Sequence, residues 1–218
     1  RPGFDTIDDA IVAMQQGKII IVVDDDDREN EGDFVCAAEF ANAGVINFLA
    51  THGRGIICAP LTTDRAKALG LDLMVDSNTS LHETPFTVSV DYTHGTTTGV
   101  SASDRAATVR ALADEKTQPS DLARPGHVFP LRALDGGVLR RAGHTEAVVD
   151  LCRLGGITPA GVLCEIMNED GTMARVPDLI TIARQHAMRI ITVRDLIEYR
   201  MTREKLVQKV VATHLPTK

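Results

Sequence analysis

Residues 18–38 read KIIIVVDDDDRENEGDFVCAA, an acidic stretch enclosed by two apolar runs. The first run, residues 18–23, is rich in β-branched side chains and predicts a buried strand. The second run, residues 34–38, predicts a further strand. Residues 24–33 hold seven carboxylates and one arginine, so a dense negative charge lies on a short connection between two strands. Connections held by a rigid sheet in this way often carry function.

Carboxylates packed this closely repel one another unless a bound cation, a basic partner or a raised pKa relieves them. Hard oxygen ligands suit magnesium or manganese better than zinc. Two other readings stay open. The first is a solvated acidic turn without a ligand. The second is a calcium loop, for which Asp25, Asp27 and Glu29 have the required alternation. However, Asn30 stands where an EF-hand needs glycine, and the stretch directly follows a predicted strand and not a helix.

The composition narrows the class of protein. A chain of 218 residues can bury a sizeable core as one large domain or two small ones. Its net charge of −7 argues against a nucleic-acid binder, which would present a basic face. The four cysteines form no C-x-x-C pair, which favours buried free thiols in a reducing compartment. Because no signal peptide or membrane-length apolar run is found, we expect a cytoplasmic protein that does not enter the membrane.

Periodic patterns predict helices and strands that alternate along the whole chain. The predicted helices are 5–17, 43–52, about 62–70, about 103–113, one opened by residues 140–146 that runs to residues 155–156, 177–187 and about 193–204. The predicted strands are 18–23, 34–38, 56–60, 86–90, 162–167 and 189–192, with a turn at 124–131 that enters another strand. No linker or internal repeat interrupts this order, so we expect one α/β domain of the α+β type with a mixed sheet. Residues 75–84 are predicted to form a polar loop, and the tail from about residue 205 is predicted to be frayed.

A second group of polar residues opens the predicted helix that runs from residues 140–146 to residues 155–156. Residues 141–146 read RAGHTE, and Arg141, Thr145 and the free N–H groups of a helix start together predict a phosphate cradle. His144 is then placed to join the acidic stretch in holding one metal ion. The alternative is simple capping of the helix by these side chains.

Two further residues complete the candidate chemistry. Glu165 is a carboxylate within an apolar strand, and His127 lies in a turn rich in glycine and proline. Each has a plain structural explanation, since Glu165 could pair with a core arginine and His127 could fill its turn. A cation site beside a phosphate site is nevertheless the pattern of an enzyme that acts on a sugar phosphate.

These motifs resemble the 3,4-dihydroxy-2-butanone 4-phosphate synthase family of riboflavin biosynthesis. The matching stretches are DDDDRENEGD at 24–33, FTVSV at 86–90, TTGVSASDR at 97–105, RPGHVFPL at 124–131, RAGHTE at 141–146 and AGVLCE at 160–165. The resemblance runs nearly end to end, and the acidic stretch combined with RAGHTE is highly specific. The chain stops where some family members continue into a GTP cyclohydrolase II domain. We therefore expect residues 1–218 to form a single synthase domain.

The resemblance implies a three-layer α-β-α fold and a homodimer with sites near the subunit interface. It implies conversion of D-ribulose 5-phosphate to L-3,4-dihydroxybutan-2-one 4-phosphate and formate, with Mg²⁺ or Mn²⁺. Glu29 and His144 match the metal ligands, and His127 and Glu165 match positions essential for catalysis. The implied substrate-binding residues are Arg28, Glu29, Asp33, Arg141, Ala142, Gly143, His144, Thr145 and Glu165.

The implied chemistry agrees with the residue types. A metal would supply electrostatic stabilisation for proton removal beside the ketose carbonyl, and the phosphate grip would supply orientation. Loss of water and a carbon shift require an acid and a base. One alternative is another metal-dependent sugar-phosphate isomerase or aldolase, which formate release would separate. The other is a non-enzymatic module that binds RNA or nucleotide, which the net charge and the joint motifs disfavour.

Overall fold

The computed structural model of the chain describes residues 3–204, and the predicted frayed tail lies outside the described residues. The helices are α1 Ile7–Gln15, α2 Ala43–Phe48, α3 Thr63–Ala68, α4 Ala102–Ala113, α5 His144–Leu154, α6 Val176–Gln185 and α7 Val193–Arg203. The strands are β1 Ile20–Val23, β2 Gly32–Ala37, β3 Cys58–Thr62, β4 Val90–Tyr92, β5 Leu122–Ala133, β6 Gly161–Glu165 and β7 Ile190–Thr192. Within this part of the chain, no helix is both long and apolar enough to cross a bilayer.

The strands form one seven-stranded sheet in the order β4-β5-β3-β6-β2-β1-β7. β1 pairs in parallel with β7, and β3 pairs in parallel with β5. The β1–β2, β2–β6, β3–β6 and β4–β5 pairs are antiparallel. The predicted mixed sheet is therefore confirmed, and β2 and β6 lie side by side near its centre.

Helices cover both faces of this sheet. Successive side chains of a strand point to opposite faces, so β2 contributes Val35 to one core and Phe34 to the other. The core that contains Val35 also takes in side chains of α1, α5 and α7. The core that contains Phe34 takes in side chains of α2, α3, α4 and α6. Both cores are closed to solvent, and the three-layer α-β-α architecture is confirmed.

The turn predicted at 124–131 is wrong, because these residues lie within the continuous strand β5. Gly126 was the misleading signal. A Cβ atom at Gly126 would lie 2.0 Å from the carbonyl carbon of Val90, so this glycine permits a close approach of β4 rather than a turn. The strand predicted at 86–90 is also mostly absent. Residues 86–89 form only the isolated bridges Phe86–Leu131 and Leu73–Thr87, and β4 begins at Val90.

Among the described helices, α1–α4 and α7 begin with a side-chain cap, whereas α5 and α6 have no hydrogen bond from an N-cap side chain. The Thr6 hydroxyl accepts the N–H of Asp9 at the start of α1, as a Ser or Thr cap does in most helices. α5 instead starts at Gly143, which has no side chain with which to cap the first turn. The N–H groups of that turn are therefore available to another acceptor. The start of α5, at His144, could thus bind an anion.

Candidate active site

The acidic connection between β1 and β2 is folded around the buried carboxylate of Asp24. Asp24 accepts the N–H of Glu29 at 3.2 Å, the N–H of Glu31 at 2.9 Å and Arg28 Nη1 at 2.7 Å. Arg28 Nη1 also lies 2.9 Å from Glu29 Oε2. From the start of α6, Arg175 donates to the Glu29 carbonyl oxygen at 3.0 Å. Glu29 is thus fixed by its backbone on both sides, although it lies in a loop.

Asp33 and Glu165 face each other across the β2–β6 pair. Directly opposed residues on one face have Cβ atoms about 4.5–5.5 Å apart, so both carboxylates reach the same space on the α5 side of the sheet. Glu165 Oε2 accepts the N–H of Ile56 at 2.8 Å. A Cβ atom at Gly55 would lie 2.4 Å from that oxygen, so glycine is required for Glu165 to occupy this position.

His144, the first residue of α5, is buried next to these carboxylates. Its Nδ1 lies 3.6 Å from Glu29 Oε2 and 3.8 Å from Asp33 Oδ2. Across residues 3–204, His144 Nε2 and Asp33 Oδ1 are buried without any hydrogen-bond partner. A buried polar group without a hydrogen-bond partner costs about 1–3 kcal/mol of folding stability. A bound ligand that contacts these atoms would offset this cost, so the arrangement indicates a ligand site.

The donors fit a hard divalent cation. Neighbouring ligands of octahedral Mg²⁺, each at about 2.1 Å, are roughly 3 Å apart, close to the 3.6 Å between Glu29 and His144. Ligand atoms of Asp24, Glu29 and His144 lie within 4.8 Å of one another. However, both Asp24 oxygens already accept hydrogen bonds from the loop. Glu29 and His144 are therefore the groups that are available to hold a cation.

The charges of the cluster shift its pKa values strongly. Burial opposes ionisation of Glu29, but the His144 imidazole and the Arg28 guanidinium outweigh it and lower the Glu29 pKa to about 2. Burial raises the pKa of Asp33 to about 7 despite the nearby imidazole. Burial also disfavours a charged His144, but Asp33 and Glu29 hold the proton and raise the His144 pKa to about 9. In the absence of a cation, the imidazolium is thus the positive partner of these carboxylates.

Arg141 and Thr145 lie at the start of α5. They are beside the cation cluster, the group of potential cation ligands formed by Asp24, Glu29 and His144. Arg141 Nη1 lies 2.8 Å from Glu146 Oε2, and Arg141 Nη2 donates to the His82 carbonyl oxygen at 3.0 Å. Thr145 is buried in the first turn of the helix. A guanidinium, a hydroxyl and uncapped helix N–H groups are groups that can bind an anion.

These groups enclose a pocket of about 150 Å³. Its lining residues are Arg28, Glu29, Glu31, Asp33, Cys58, Thr84, Phe86, Leu131, Arg141, His144, Thr145, Leu163 and Glu165. Seven of the residues singled out from the sequence therefore meet at one place. Ala142 is exposed and Gly143 is buried, and neither lines the pocket.

His127 is not brought to this pocket. Its side chain on β5 is 48% exposed, and Nδ1 lies 2.7 Å from Asp91 Oδ2. The His127 N–H also donates to Asp91 Oδ1 at 2.9 Å. Leu131, which lines the pocket, lies four residues further along the strand, a separation of about 13 Å. A carboxylate that orients an exposed imidazole is a unit suited to proton transfer, but it lies away from its own chain's pocket.

Sequence reasoning missed several residues of the site. It did not separate Asp24, which organises the loop, from the other acids, although its position directly after a buried strand was a signal. It treated Glu146 only as a capping residue, whereas the structure pairs it with Arg141. Cys58 on β3 and Phe86, which forms an isolated bridge to Leu131, line the pocket because of long-range sheet pairing, which no local signal could have indicated.

A larger groove of about 1220 Å³ lies between α1, α2 and α6. Its charged groups do not converge, since Asp5 is already paired with Arg189 at 2.7 Å. Among the described residues, the group formed by Asp24, Glu29 and His144 is the single cluster of three or more potential metal ligands. The smaller pocket is therefore the candidate active site.

Comparisons with known proteins agree with this geometry. The family described as 3,4-dihydroxy-2-butanone 4-phosphate synthase matches residues 8–199. Riboflavin biosynthesis protein RibBA of Cytophaga hutchinsonii is 60% identical over 214 residues, which are 98% of this chain and 53% of that protein. RibBA of Aquifex aeolicus is 57% identical over 216 residues, again 98% of this chain and 53% of that protein. The chain thus spans about half the length of these relatives.

Solved structures show the same fold. A 3,4-dihydroxy-2-butanone 4-phosphate synthase in complex with two magnesium ions superposes with a TM-score of 0.88 at 44% identity, covering 92% of this chain and 98% of that one. RibBX from A. baumannii, a two-domain synthase, superposes with a TM-score of 0.89 at 46% identity, covering 96% of this chain and 63% of that one.

The fold and the pocket define an α/β domain with a candidate metal site. The chain belongs to the 3,4-dihydroxy-2-butanone 4-phosphate synthase family.

Proposed function

We propose that this chain converts D-ribulose 5-phosphate to L-3,4-dihydroxybutan-2-one 4-phosphate and formate. The observation that supports it most directly is the convergence of Glu29, Asp33, His144 and Glu165 beside the phosphate site of Arg141. The five carbons of the substrate are divided between a four-carbon phosphate and formate, and the atoms balance without a further reactant.

Each residue has an assigned part in this proposal. Glu29 and His144 would hold Mg²⁺ or Mn²⁺, which would supply positive charge to stabilise negative charge that develops on the substrate. Asp33, whose Oδ1 is unpartnered within the described chain, accepts a hydrogen bond from a sugar hydroxyl. Glu165 has one oxygen occupied by the Ile56 N–H, and its other oxygen exchanges a proton with substrate.

The other contacts hold the substrate in place. Arg28 contacts the sugar beside Glu29, and Arg141 and Thr145 bind the phosphate with the first turn of α5, which is completed by Ala142 and Gly143. Fixing the phosphate orients the remaining carbons toward Glu165, so a bimolecular encounter becomes a reaction between oriented groups.

The proposal includes a homodimer, in which the partner subunit's His127 completes the site. Its support is that His127 and Asp91 form an oriented, half-exposed pair outside their own pocket. A closed two-fold dimer would bring each pair to the other subunit in the same way.

Doubly tagged heterodimers test this arrangement. A heterodimer of a His127→Asn subunit with a Glu29→Gln subunit should regain one intact site and about half of the parental activity. The matched control combines a Glu29→Gln subunit with a His144→Ala subunit. Each change damages the pocket of its own subunit, so this heterodimer has no intact site and should stay inactive. An inactive first heterodimer would show that His127 does not act across subunits.

Three finer points belong to the same proposal. Residues 1–218 form a single synthase domain, which the single sheet across residues 3–204 supports. Mn²⁺ serves in place of Mg²⁺, which turnover with each ion after chelation would test. The protein works in the reducing cytoplasm, which its four buried free cysteines support and cell fractionation would test. Another sugar-phosphate isomerase or aldolase is not favoured, because the family match is specific.

A further inference from the structure

Glu146 is a fully buried carboxylate in the first turn of α5, and the reaction described above gives it no part. Its Oε2 lies 2.8 Å from Arg141 Nη1, and its Oε1 accepts the N–H of Leu134 at 3.1 Å. Leu134 directly follows β5. The carboxylate therefore joins three parts of the fold: the helix start, the end of β5 and the guanidinium that faces the pocket.

The glycine of the RAGHTE motif makes this pair possible. A Cβ atom at Gly143 would lie 2.4 Å from Arg141 Nη1 and 3.1 Å from Glu146 Oε2. Any larger residue would push the guanidinium away from the carboxylate. Arg141, Gly143 and Glu146 thus act as one packed unit, although Gly143 itself does not line the pocket.

The position of the guanidinium is fixed from two sides. Glu146 holds Nη1, while Nη2 donates to the His82 carbonyl oxygen in the loop that precedes β4. An arginine side chain carries five N–H donors, so three remain for an anion after these two contacts. Glu146 also neutralises the charge of Arg141. Anion binding by this arginine therefore depends on the direction of its remaining N–H groups more than on net charge.

We propose that Glu146 is a positioning residue that orients Arg141 toward the phosphate of the substrate. This inference rests on the proposed sugar-phosphate chemistry of the pocket. Without the carboxylate, the guanidinium samples several directions, and ordering it on binding costs side-chain entropy. The loss falls on binding of the phosphate and not on the proton transfers, because Glu165 and the cation cluster keep their own partners.

The test is Glu146→Gln in the full chain. Glutamine keeps the volume, and its carbonyl oxygen can still accept the Leu134 N–H, but its NH2 group cannot accept a hydrogen bond from Arg141. We expect about a tenfold rise in KM for ribulose 5-phosphate and in the dissociation constant of inorganic phosphate measured by calorimetry, with kcat changed by less than about threefold. Glu146→Asp keeps the charge but withdraws the carboxylate, and it should raise both constants in the same direction.

Asp150→Asn is the matched control on the same helix. Asp150 is also buried, pairs with Arg200 at 2.7 Å and accepts the Val138 N–H at 2.8 Å. Its replacement should lower the Tm and leave KM and phosphate affinity unchanged. The inference is overturned if Glu146→Gln and Glu146→Asp bind phosphate like the parent, or if Asp150→Asn weakens phosphate binding equally. Phosphate calorimetry needs no turnover, so a parent protein that does not convert ribulose 5-phosphate would refute the proposed function without affecting this comparison.

Discussion

The pocket beside α5 and the groove between α1, α2 and α6 differ in size and in chemistry. The groove encloses about 1220 Å³ and the pocket about 150 Å³. In the groove, Asp5 is paired with Arg189 and also accepts the Ile190 N–H at 2.9 Å. In the pocket, Asp33 and His144 keep buried polar atoms without partners in the described chain. Unsatisfied groups that converge mark a reactive site better than volume does.

The difference has a structural origin. The groups of the pocket come from the β1–β2 connection, β2, β6 and the start of α5, and a backbone contact fixes each of them. Asp24 holds Glu29 through its N–H, and sheet pairing places Asp33 opposite Glu165. In the groove, Asp5 and Arg189 lie in connections before α1 and β7, and they already satisfy each other.

The largest expected effect is the loss of a cation ligand. Glu29→Gln or His144→Ala should lower kcat by about 10³-fold, because positive charge at the reacting oxygens is lost. Asp26→Asn on the same loop is the matched control and should act like the parent, since Asp26 is exposed and lies outside the pocket. Steady-state assays in limiting magnesium measure this effect. Near-normal rates for both variants would show that Glu29 and His144 do not hold the cation.

Loss of an acid or base should come next. Glu165→Gln and His127→Asn should each lower formate production by about 10²-fold while metal and substrate still bind. Each variant is incubated with ribulose 5-phosphate in deuterated water, and exchange beside the carbonyl is followed together with formate. Exchange without formate would place the residue after enolisation, and the absence of both signals would place it at or before the first proton transfer. If both variants released formate at the parental rate, the acid and base would instead be carboxylates of the acidic connection at 24–33.

A smaller effect is expected at the phosphate. Arg141→Lys keeps the charge but loses the planar fork and its contacts to Glu146 and His82. A loss of about 1–3 kcal/mol is typical of a charged hydrogen bond and corresponds to roughly 5- to 150-fold in KM. Titration with ribulose 5-phosphate measures it. Binding as tight as that of the parent would place the phosphate elsewhere, for instance on the turn at 101–103.

The smallest effect is expected in the groove. Arg184 is exposed on α6 and lines the groove. Arg184→Gln should leave kcat and KM within about twofold of the parent, as surface substitutions away from such sites usually do. If this variant were as impaired as Arg141→Lys, the groove would have to take part in the reaction, and the contrast between the two regions would be lost.

The sequence predicted those parts of the site whose residues lie close together along the chain. The acidic connection at 24–33 follows a buried strand, and the helix start at 141–146 has its own capping and charge signals. The meeting of Asp33 with Glu165 depends on the register of β2 against β6, which is set by packing and not by neighbouring residues. For the same reason, Gly126 was taken for a turn signal when it marks a close approach of two strands.

The central claim is that the small pocket splits ribulose 5-phosphate and depends on its cation cluster to do so. The most direct measurement follows ribulose 5-phosphate by proton NMR with the parent protein and Mg²⁺, with Glu29→Gln and a chelated sample alongside. We predict that formate and the four-carbon phosphate appear in equal amounts with the parent and Mg²⁺ only. A five-carbon isomer or aldol cleavage products without formate, or equal formate from Glu29→Gln, would contradict the claim.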